Sequence, residues 1–355
     1  MSLDIDGLRT STGTAFTAWH VGRRGEVAGG MTQVLNGYLE WPFADCRVDV
    51  IISRDGSSGL RAMRLFAAAA ARLLSLRDPR TNAVVVHLSQ GGSFVREGLL
   101  LRLAAARGFG TIAHLHGSSF VDFAHADPER VRAVLRRADR VFALSDETAD
   151  AVRALVPDAV IDLVPNAVPG GGGSSGTHRV VFGGAVSRRK GVDVLVEAWR
   201  SVEHHGWTLD IVGPTADEDV IVDDLADATF HGALPHDQLM ALLDDAAIAV
   251  LPSRDEAMPM FILEALARGC AVIATRVGGV PEVLVGGAGL LVEPADTRAL
   301  TGALQSLIDD AGALSTMQAA GRQRFAEAFS ASAVYPRVAD LWRGVLTRPA
   351  GATRA

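Results

Sequence analysis

Pro165-Asn166-Ala167-Val168-Pro169-Gly170-Gly171-Gly172-Gly173-Ser174-Ser175-Gly176 is Pro-bracketed at its start and Gly/Ser-rich at its end, a composition with no capacity to pack. Such a stretch reads as a linker. It falls near the middle of a 355-residue chain, which is longer than one hydrophobic core ordinarily supports. Before it, short apolar runs at 15–21, 47–52, 83–88, 111–115, 140–144 and 161–164 read as strands, with amphipathic stretches between most of them. After it the alternation restarts, with runs at 179–182, 208–212, 228–230, 248–251, 271–274 and 289–292. Apolar strands separated by helical patterns are the signature of a parallel sheet covered on both faces. The sequence therefore predicts an α/β protein of two Rossmann-like, doubly wound domains, 1–169 and 178–330, joined by a linker at 170–177. Ligands of such sheets sit beyond the carboxyl ends of the strands, so two domains facing each other would form one deep cleft. A final stretch, 331–346, carries Val334, Val338, Leu341, Trp342 and Val345 at helical spacing. It is able to pack on either domain, including back onto the first.

The composition, 48% hydrophobic and 21% charged, is that of a well-packed globular protein. The longest apolar runs, such as 83–86 and 246–251, are far shorter than the roughly 18 residues of a membrane span. No signal-peptide pattern is visible. Cys46 and Cys270 lie in different predicted domains without metal-ligand spacing, which fits a reducing compartment. The expected location is the cytoplasm, including the inner face of the membrane. A net charge of −7 argues against nucleic acid as a partner. The charge is uneven, because residues 54–107 hold nine arginines against Asp55, Asp78 and Glu97. Within that segment Arg61, Arg64 and Arg72 span an arc of roughly 80° if helical at about 100° per residue. It is a candidate for peripheral contact with an anionic membrane or a lipid-pyrophosphate acceptor, the plainer reading being a solvated helix edge. Of the 34 basic residues, only Lys190 is a lysine.

The segment richest in chemistry is Ser253-Arg254-Asp255-Glu256-Ala257-Met258-Pro259-Met260-Phe261-Ile262-Leu263-Glu264-Ala265-Leu266-Ala267-Arg268-Gly269. Pro259 suits the first turn of a helix, where its missing N–H has no intrahelical partner, and Gly269 suits the end. The free N–H groups near Met260 and Phe261 would then form an anion site fit for a diphosphate. Glu256 precedes this helix and Glu264 lies about one turn inside it, so both carboxylates flank a ligand docked on the helix start and can accept from sugar and ribose hydroxyls. The plainer reading makes Glu256 a surface acid and Glu264 a partner of the helix dipole. Asp4-Ile5-Asp6 and Asp217-Glu218-Asp219 fit the Asp-x-Asp pattern that holds a divalent ion on a diphosphate, but both read as solvated acidic clusters. No P-loop or dinucleotide fingerprint is present.

The two glutamates, with Glu264-Ala265-Leu266-Ala267-Arg268-Gly269, resemble the signature of the retaining, GT-B-fold glycosyltransferases of family GT4, glycosyltransferase group 1. His231-Gly232 through Leu239, Gly278-Gly279-Val280-Pro281-Glu282 and Gly184 through Lys190-Gly191 resemble the same family in order and spacing. In the first half Gly29-Gly30-Met31 resembles the Gly-Gly turn that lets backbone approach the donor diphosphate, for which the absence of a Cβ is the physical requirement. His114-Leu115-His116-Gly117, Ala143-Leu144-Ser145 and Val164-Pro165-Asn166 look like further landmarks. The resemblance implies that His116 lies beside the reacting sugar, that Lys190 and Arg188 or Arg189 meet the leaving diphosphate with Met260 and Phe261, and that Glu256 holds the donor sugar and Glu264 the ribose. It implies a nucleoside-diphosphate sugar as co-substrate, a carbohydrate or lipid-linked hydroxyl acceptor, and neither metal nor other cofactor. Three positions depart from the family: Ala185 replaces its diphosphate arginine, Pro259 a common glycine, and Ala167 the glycine after Asn166. A nucleotide-sugar epimerase or phosphorylase of the same fold, and an idle sugar-nucleotide-binding subunit, remain open as alternatives.

Overall fold

The structure, a computed structural model, describes residues 16–23, 29–173, 176–222 and 224–346. The Asp4-Ile5-Asp6 motif and Ser174-Ser175 lie outside the described residues. The first sheet holds β1 (Phe16–Arg23), β2 (Cys46–Arg54), β3 (Asn82–Leu88), β4 (Gly110–Leu115), β5 (Arg140–Ala143) and β6 (Ile161–Leu163) in the order β2-β1-β3-β4-β5-β6. The second holds β7 (Thr177–Gly183), β8 (Thr208–Val212), β9 (Ala228–Gly232), β10 (Ala246–Leu251), β11 (Ala271–Thr275) and β12 (Gly289–Val292) in the order β12-β11-β10-β7-β8-β9. Every pairing is parallel. The central strands β3, β4, β10 and β11 are almost entirely buried, as parallel strands covered on both faces must be.

Around the first sheet lie α1 (Gly30–Glu40), α2 (Gly59–Ser75), α3 (Gly91–Ala106), α4 (Phe120–Ala126), α5 (Pro128–Leu135) and α6 (Asp146–Leu155). The second sheet carries α7 (Val192–Arg200), α8 (His236–Asp245), α9 (Met260–Arg268), α10 (Val280–Val283), α11 (Thr297–Asp309) and α12 (Ala311–Ala328). The strand order reverses between β1 and β3 in one sheet and between β7 and β10 in the other, and ligands of open α/β sheets bind at such switch points.

The last helix, α13 (Ala331–Gly344), leaves the second sheet and docks on the first. Its Trp342 ring lies 4.9 Å from His20 and 5.2 Å from both Tyr38 and Phe43, and the Tyr335 hydroxyl donates to the Ala167 carbonyl. That docking corrects the reading of the linker. Val164, Asn166, Ala167 and Val168 are buried, with Val168 bridged to Ser330, whereas Pro169, Gly170, Gly172 and Gly173 are exposed. The reason is the polar side chain of Asn166, whose Nδ2 donates to the Met258 carbonyl at 2.9 Å and ties the segment to the second sheet.

Candidate active site

The two sheets meet carboxyl end to carboxyl end. The Ser118 and Ser119 hydroxyls, beyond β4, donate to Asp255 Oδ2, beyond β10, at 2.6 and 3.2 Å. The Asp146 N–H, beyond β5, donates to Glu282 beyond β11 at 3.1 Å. Between these contacts lies the segment that leaves β10. Ser253 Oγ donates to Glu256 Oε1 at 2.7 Å, and Lys190 Nζ pairs with the same oxygen. Both charged side chains are largely buried, at 15% and 9% exposed, where either one left alone would be strongly destabilising. Glycine makes the placement possible. A Cβ on Gly191, at φ +73°, would lie 1.9 Å from the Pro252 carbonyl oxygen, and one on Gly278, at φ +48°, 1.8 Å from that of Glu256.

Helix α9 starts at Met260 with Pro259 as its N-cap, one residue earlier than the first-turn position expected, a shift within the ordinary ambiguity of helix ends. No side chain caps it. Helix α1 starts at Gly30 with Gly29 as an equally uncapped N-cap. The Cβ position of Gly30 lies 3.6 Å from Met260 Cγ, so two helix starts, one from each sheet, face each other. Each end carries roughly half a positive charge, which makes the gap between them attractive to an anion. The Phe261 ring fills the space left by the missing side chain of Gly183, where a Cβ would be 2.5 Å away, so what Phe261 offers the gap is its backbone. Glu264 is buried and its Oε1 is 2.8 Å from His236 Nε2, a hydrogen bond that raises the His236 pKa against the effect of burial. Arg189 donates to the Asp255 carbonyl at 3.0 Å. Arg188, the alternative source of the charge missing at Ala185, instead has its guanidinium on Asp219 and its backbone N–H on Asp217. Asp219 is thus ion-paired with Arg188 yet remains 61% exposed, and Asp217 accepts from the Arg188 backbone N–H, so the cluster stays at the surface as its sequence reading expects.

His116 is not a lone histidine. His20 on β1, His87 on β3, and His114 and His116 at the end of β4 form a run of four rings. His20 Nδ1 is 2.8 Å from His87 Nε2, and His87 Nδ1 is 2.8 Å from His116 Nε2. Burial pushes His20 and His116 down to about 3, helped for His20 by His116 and for His116 by Arg54, and holds His87 and His114 well below the usual range. All four are thus neutral near pH 7, with one ring proton each. His20 Nε2 is sealed without a partner, and a sealed donor is far more destabilising than a sealed lone pair, so the proton sits on Nδ1 and is donated to His87. His87 must then donate from Nδ1 to His116 Nε2, which leaves the His116 proton on Nδ1. Ligand nitrogens of His87, His114 and His116 lie within 4.8 Å of one another. Zinc–nitrogen bonds of about 2.0–2.1 Å would hold nitrogens roughly 3.3 Å apart, wider than the His87–His116 approach, so the arrangement is a hydrogen-bonded chain.

Sequence reasoning missed His20 and His87 and gave His114 no role of its own within the His114–Gly117 landmark; the signal they share is equal parity on neighbouring strands. Also missed were Ser118, Asp255 and His236. The expected arginine arc is only partly free: Arg61 pairs with Asp55 at 2.7 Å and the Arg72 guanidinium lies 4.6 Å over the Trp19 ring, while Arg64 is exposed. Cys46 and Cys270 are buried free thiols, both pushed up to about 12 by that burial.

Two parallel doubly wound sheets joined at their carboxyl ends, with a Lys–Glu pair and facing helix starts at the seam, define the architecture as GT-B. Residues 177–310 match the family model "Glycosyl transferases group 1" and residues 17–167 the model "Glycosyl transferase 4-like domain". The chain belongs to the group 1 glycosyltransferases. It is 31% identical over 177 residues to glycogen synthase of Mycobacterium tuberculosis, covering 47% of this chain and 43% of that protein, so the match spans less than half of that relative. It is 27% identical over 288 residues to D-inositol 3-phosphate glycosyltransferase 1 of Catenulispora acidiphila, covering 69% of each. Among solved structures, sucrose-phosphate synthase of Thermosynechococcus elongatus superposes with a TM-score of 0.72 at 20% identity, covering 93% of this chain and 99% of that one. HepE of Anabaena in complex with UDP gives 0.72 at 17% identity, covering 93% and 100%.

Proposed function

We propose that the protein is a retaining glycosyltransferase that moves a sugar from a nucleoside-diphosphate sugar to a hydroxyl of a carbohydrate or lipid-linked precursor, without a metal ion. The observation that carries this reading is the Lys190–Glu256 pair beside two uncapped, facing helix starts. A diphosphate entering that gap draws Lys190 from Glu256 and meets the N–H groups of Met260 and Phe261, with Gly29 and Gly30 close by and Arg189 adding charge. Leaving-group stabilisation of this kind is the main demand of the reaction. Glu256, released from Lys190, accepts from donor-sugar hydroxyls, and Glu264 accepts from the ribose. His116 orients the sugar through its Nδ1–H. The acceptor hydroxyl attacks the anomeric carbon from the face that the diphosphate leaves. The bond to the diphosphate oxygen breaks, the glycosidic bond forms, and the hydroxyl proton passes to that oxygen.

Structural relatives solved with UDP and with UDP-glucose make uridine diphosphate sugars the first donors to try. Peripheral membrane contact belongs to the same reading, supported by α2, where Leu60 and Met63 are 72% and 66% exposed beside Arg64. No helix among the described residues is long and apolar enough to cross a membrane. The test is release of nucleoside diphosphate with and without acceptor, in chelator. Acceptor-dependent release supports the transferase; acceptor-independent hydrolysis favours the epimerase, and no release the idle subunit. Activity lost in chelator and restored by Mg²⁺ or Mn²⁺ overturns the metal-free step.

A further inference from the structure

The carboxyl ends of β1 and β2 hold a group of charges that the donor chemistry does not use. A bulge between Gly22 and Arg23 sets Arg23 directly across from Arg54 in the β1–β2 register. Like charges opposite one another on a sheet are destabilising. Arg96, on α3, adds a third guanidinium within electrostatic reach: burial first, then Arg23 and Arg96, lower the Arg54 pKa, while Glu97 opposes them. The Nε atoms of Arg23, Arg54 and Arg96 are all sealed from solvent without an acceptor. Arg54 Nε stands 3.7 Å from Glu97 Oε1, beyond a hydrogen bond, and Arg54 Nη2 meets only the weakly accepting sulfur of Met31 at 3.3 Å.

Among the described residues Glu97 is the one carboxylate that answers the three cations, and its oxygens already accept from Ser53 at 3.0 Å and Ser93 at 2.9 Å. Nearby Asp55 is engaged by Arg61 and by the Ser57 N–H. Three guanidiniums against one carboxylate leave two positive charges without a counterion among the described residues. Buried donors without acceptors and unopposed like charges are rare in folded proteins unless a ligand completes them. The ligand suited to several planar guanidiniums is a phosphate, whose oxygens match their forked donors. The group also lies next to His116, whose pKa Arg54 helps to lower. The three arginines thus stand on the first sheet and its helix α3 with His116, whereas Lys190 follows β7 of the second sheet.

We propose that Arg23, Arg54 and Arg96 form a phosphate site for the acceptor, so that the accepting hydroxyl belongs to a phosphorylated molecule, either soluble or a lipid headgroup. The acceptor assignment rests on the transferase reading; the anion site itself does not. Inorganic phosphate is titrated calorimetrically into the full chain, with and without UDP, and into Arg23→Gln, Arg54→Gln, Arg96→Gln and Lys190→Ala. Phosphate affinity about tenfold or more weaker in each arginine variant, but retained in Lys190→Ala and in the presence of UDP, supports the site. Affinity lost in Lys190→Ala or abolished by UDP places phosphate in the donor gap and overturns it, as does no phosphate binding by the folded parent chain. Among the described residues Arg23 has no acceptor to lose, so Arg23→Gln should melt no lower than the parent in phosphate-free buffer. A lower melting temperature there marks a purely structural arginine and overturns the site. Sedimentation with phosphatidic acid vesicles, against phosphatidylcholine, separates the sources: Arg23-dependent retention assigns a lipid headgroup, and phosphate binding without retention a soluble acceptor. Because these readouts need no turnover, failure of the transferase assay with phosphate binding intact rejects the function and leaves the site.

Discussion

The space between Glu256 and Ser253 suits an ammonium better than a guanidinium, because a compact point charge can share one carboxylate oxygen with a hydroxyl and then turn towards a phosphate. Lys190→Arg is therefore expected to lower turnover by about tenfold or more, roughly 1.4 kcal/mol of transition-state stabilisation, with little change in melting temperature. Full activity in that variant removes Lys190 from the leaving group. His87 is the second residue that the site depends on, and it acts through His116. In His87→Leu the donor to His116 Nε2 is gone, so ¹⁵N spectra should show His116 shifting from the Nδ1–H form to a tautomer mixture. Turnover should fall by about tenfold or more while KM for the donor stays level. His87→Asn, whose amide N–H can stand in for Nδ1–H, should restore both. An unchanged tautomer in the leucine variant dismisses the chain as a positioning device. Neither His87 nor His20 was marked by the sequence, since each is one polar letter inside an apolar strand.

At the scale of elements, α13 shows what periodicity can and cannot say. Its apolar stripe announces a packed helix, yet a stripe names no partner, and only the structure places Trp342 against His20, Tyr38 and Phe43. Trp342 is fully buried, so Trp342→Ala should destabilise the first domain by about 3–5 kcal/mol, measured by urea unfolding. A loss confined to the second domain, read by exchange at its strand amides, contradicts the docking. The strands were far more legible than this helix. Each observed strand coincides with an expected run, because strands buried on both faces leave continuous apolar letters. Their ends moved by a residue or two where polar residues such as Arg23 and Arg54 extend the ladder. Glu256, Glu264 and Lys190 were legible from spacing and family resemblance. Their partners Ser253, His236 and Asp255 were not, because contacts between loops leave no period in a sequence.

For the whole molecule, the buried imidazoles set how stability should depend on acidity. An unfolded histidine titrates near 6.5, whereas folded His20 and His116 titrate at about 3 and His87 and His114 also lie well below the usual value, in each case chiefly through burial. Between those values the unfolded chain binds protons that the folded chain refuses, so stability rises with pH across the window and falls as pH drops below about 6.5. For the fully buried His20 the slope approaches about 1.4 kcal/mol per pH unit inside the window. His236 works in the opposite sense: Glu264 raises its pKa, so its small, half-exposed contribution is complete below the unfolded value and is lost as pH climbs through the folded one. The acid side should therefore dominate, with the midpoint of urea unfolding dropping steeply from pH 7 to pH 5. His20→Phe keeps an aromatic ring against Tyr38 and Trp342 but removes one titrating group, so its unfolding midpoint should drop less over the same interval. A wild-type midpoint that stays level from pH 7 to pH 5, or a variant as acid-sensitive as the parent, would mean that the rings accept protons in the folded state. The neutral chain that fixes the His116 tautomer would then not exist.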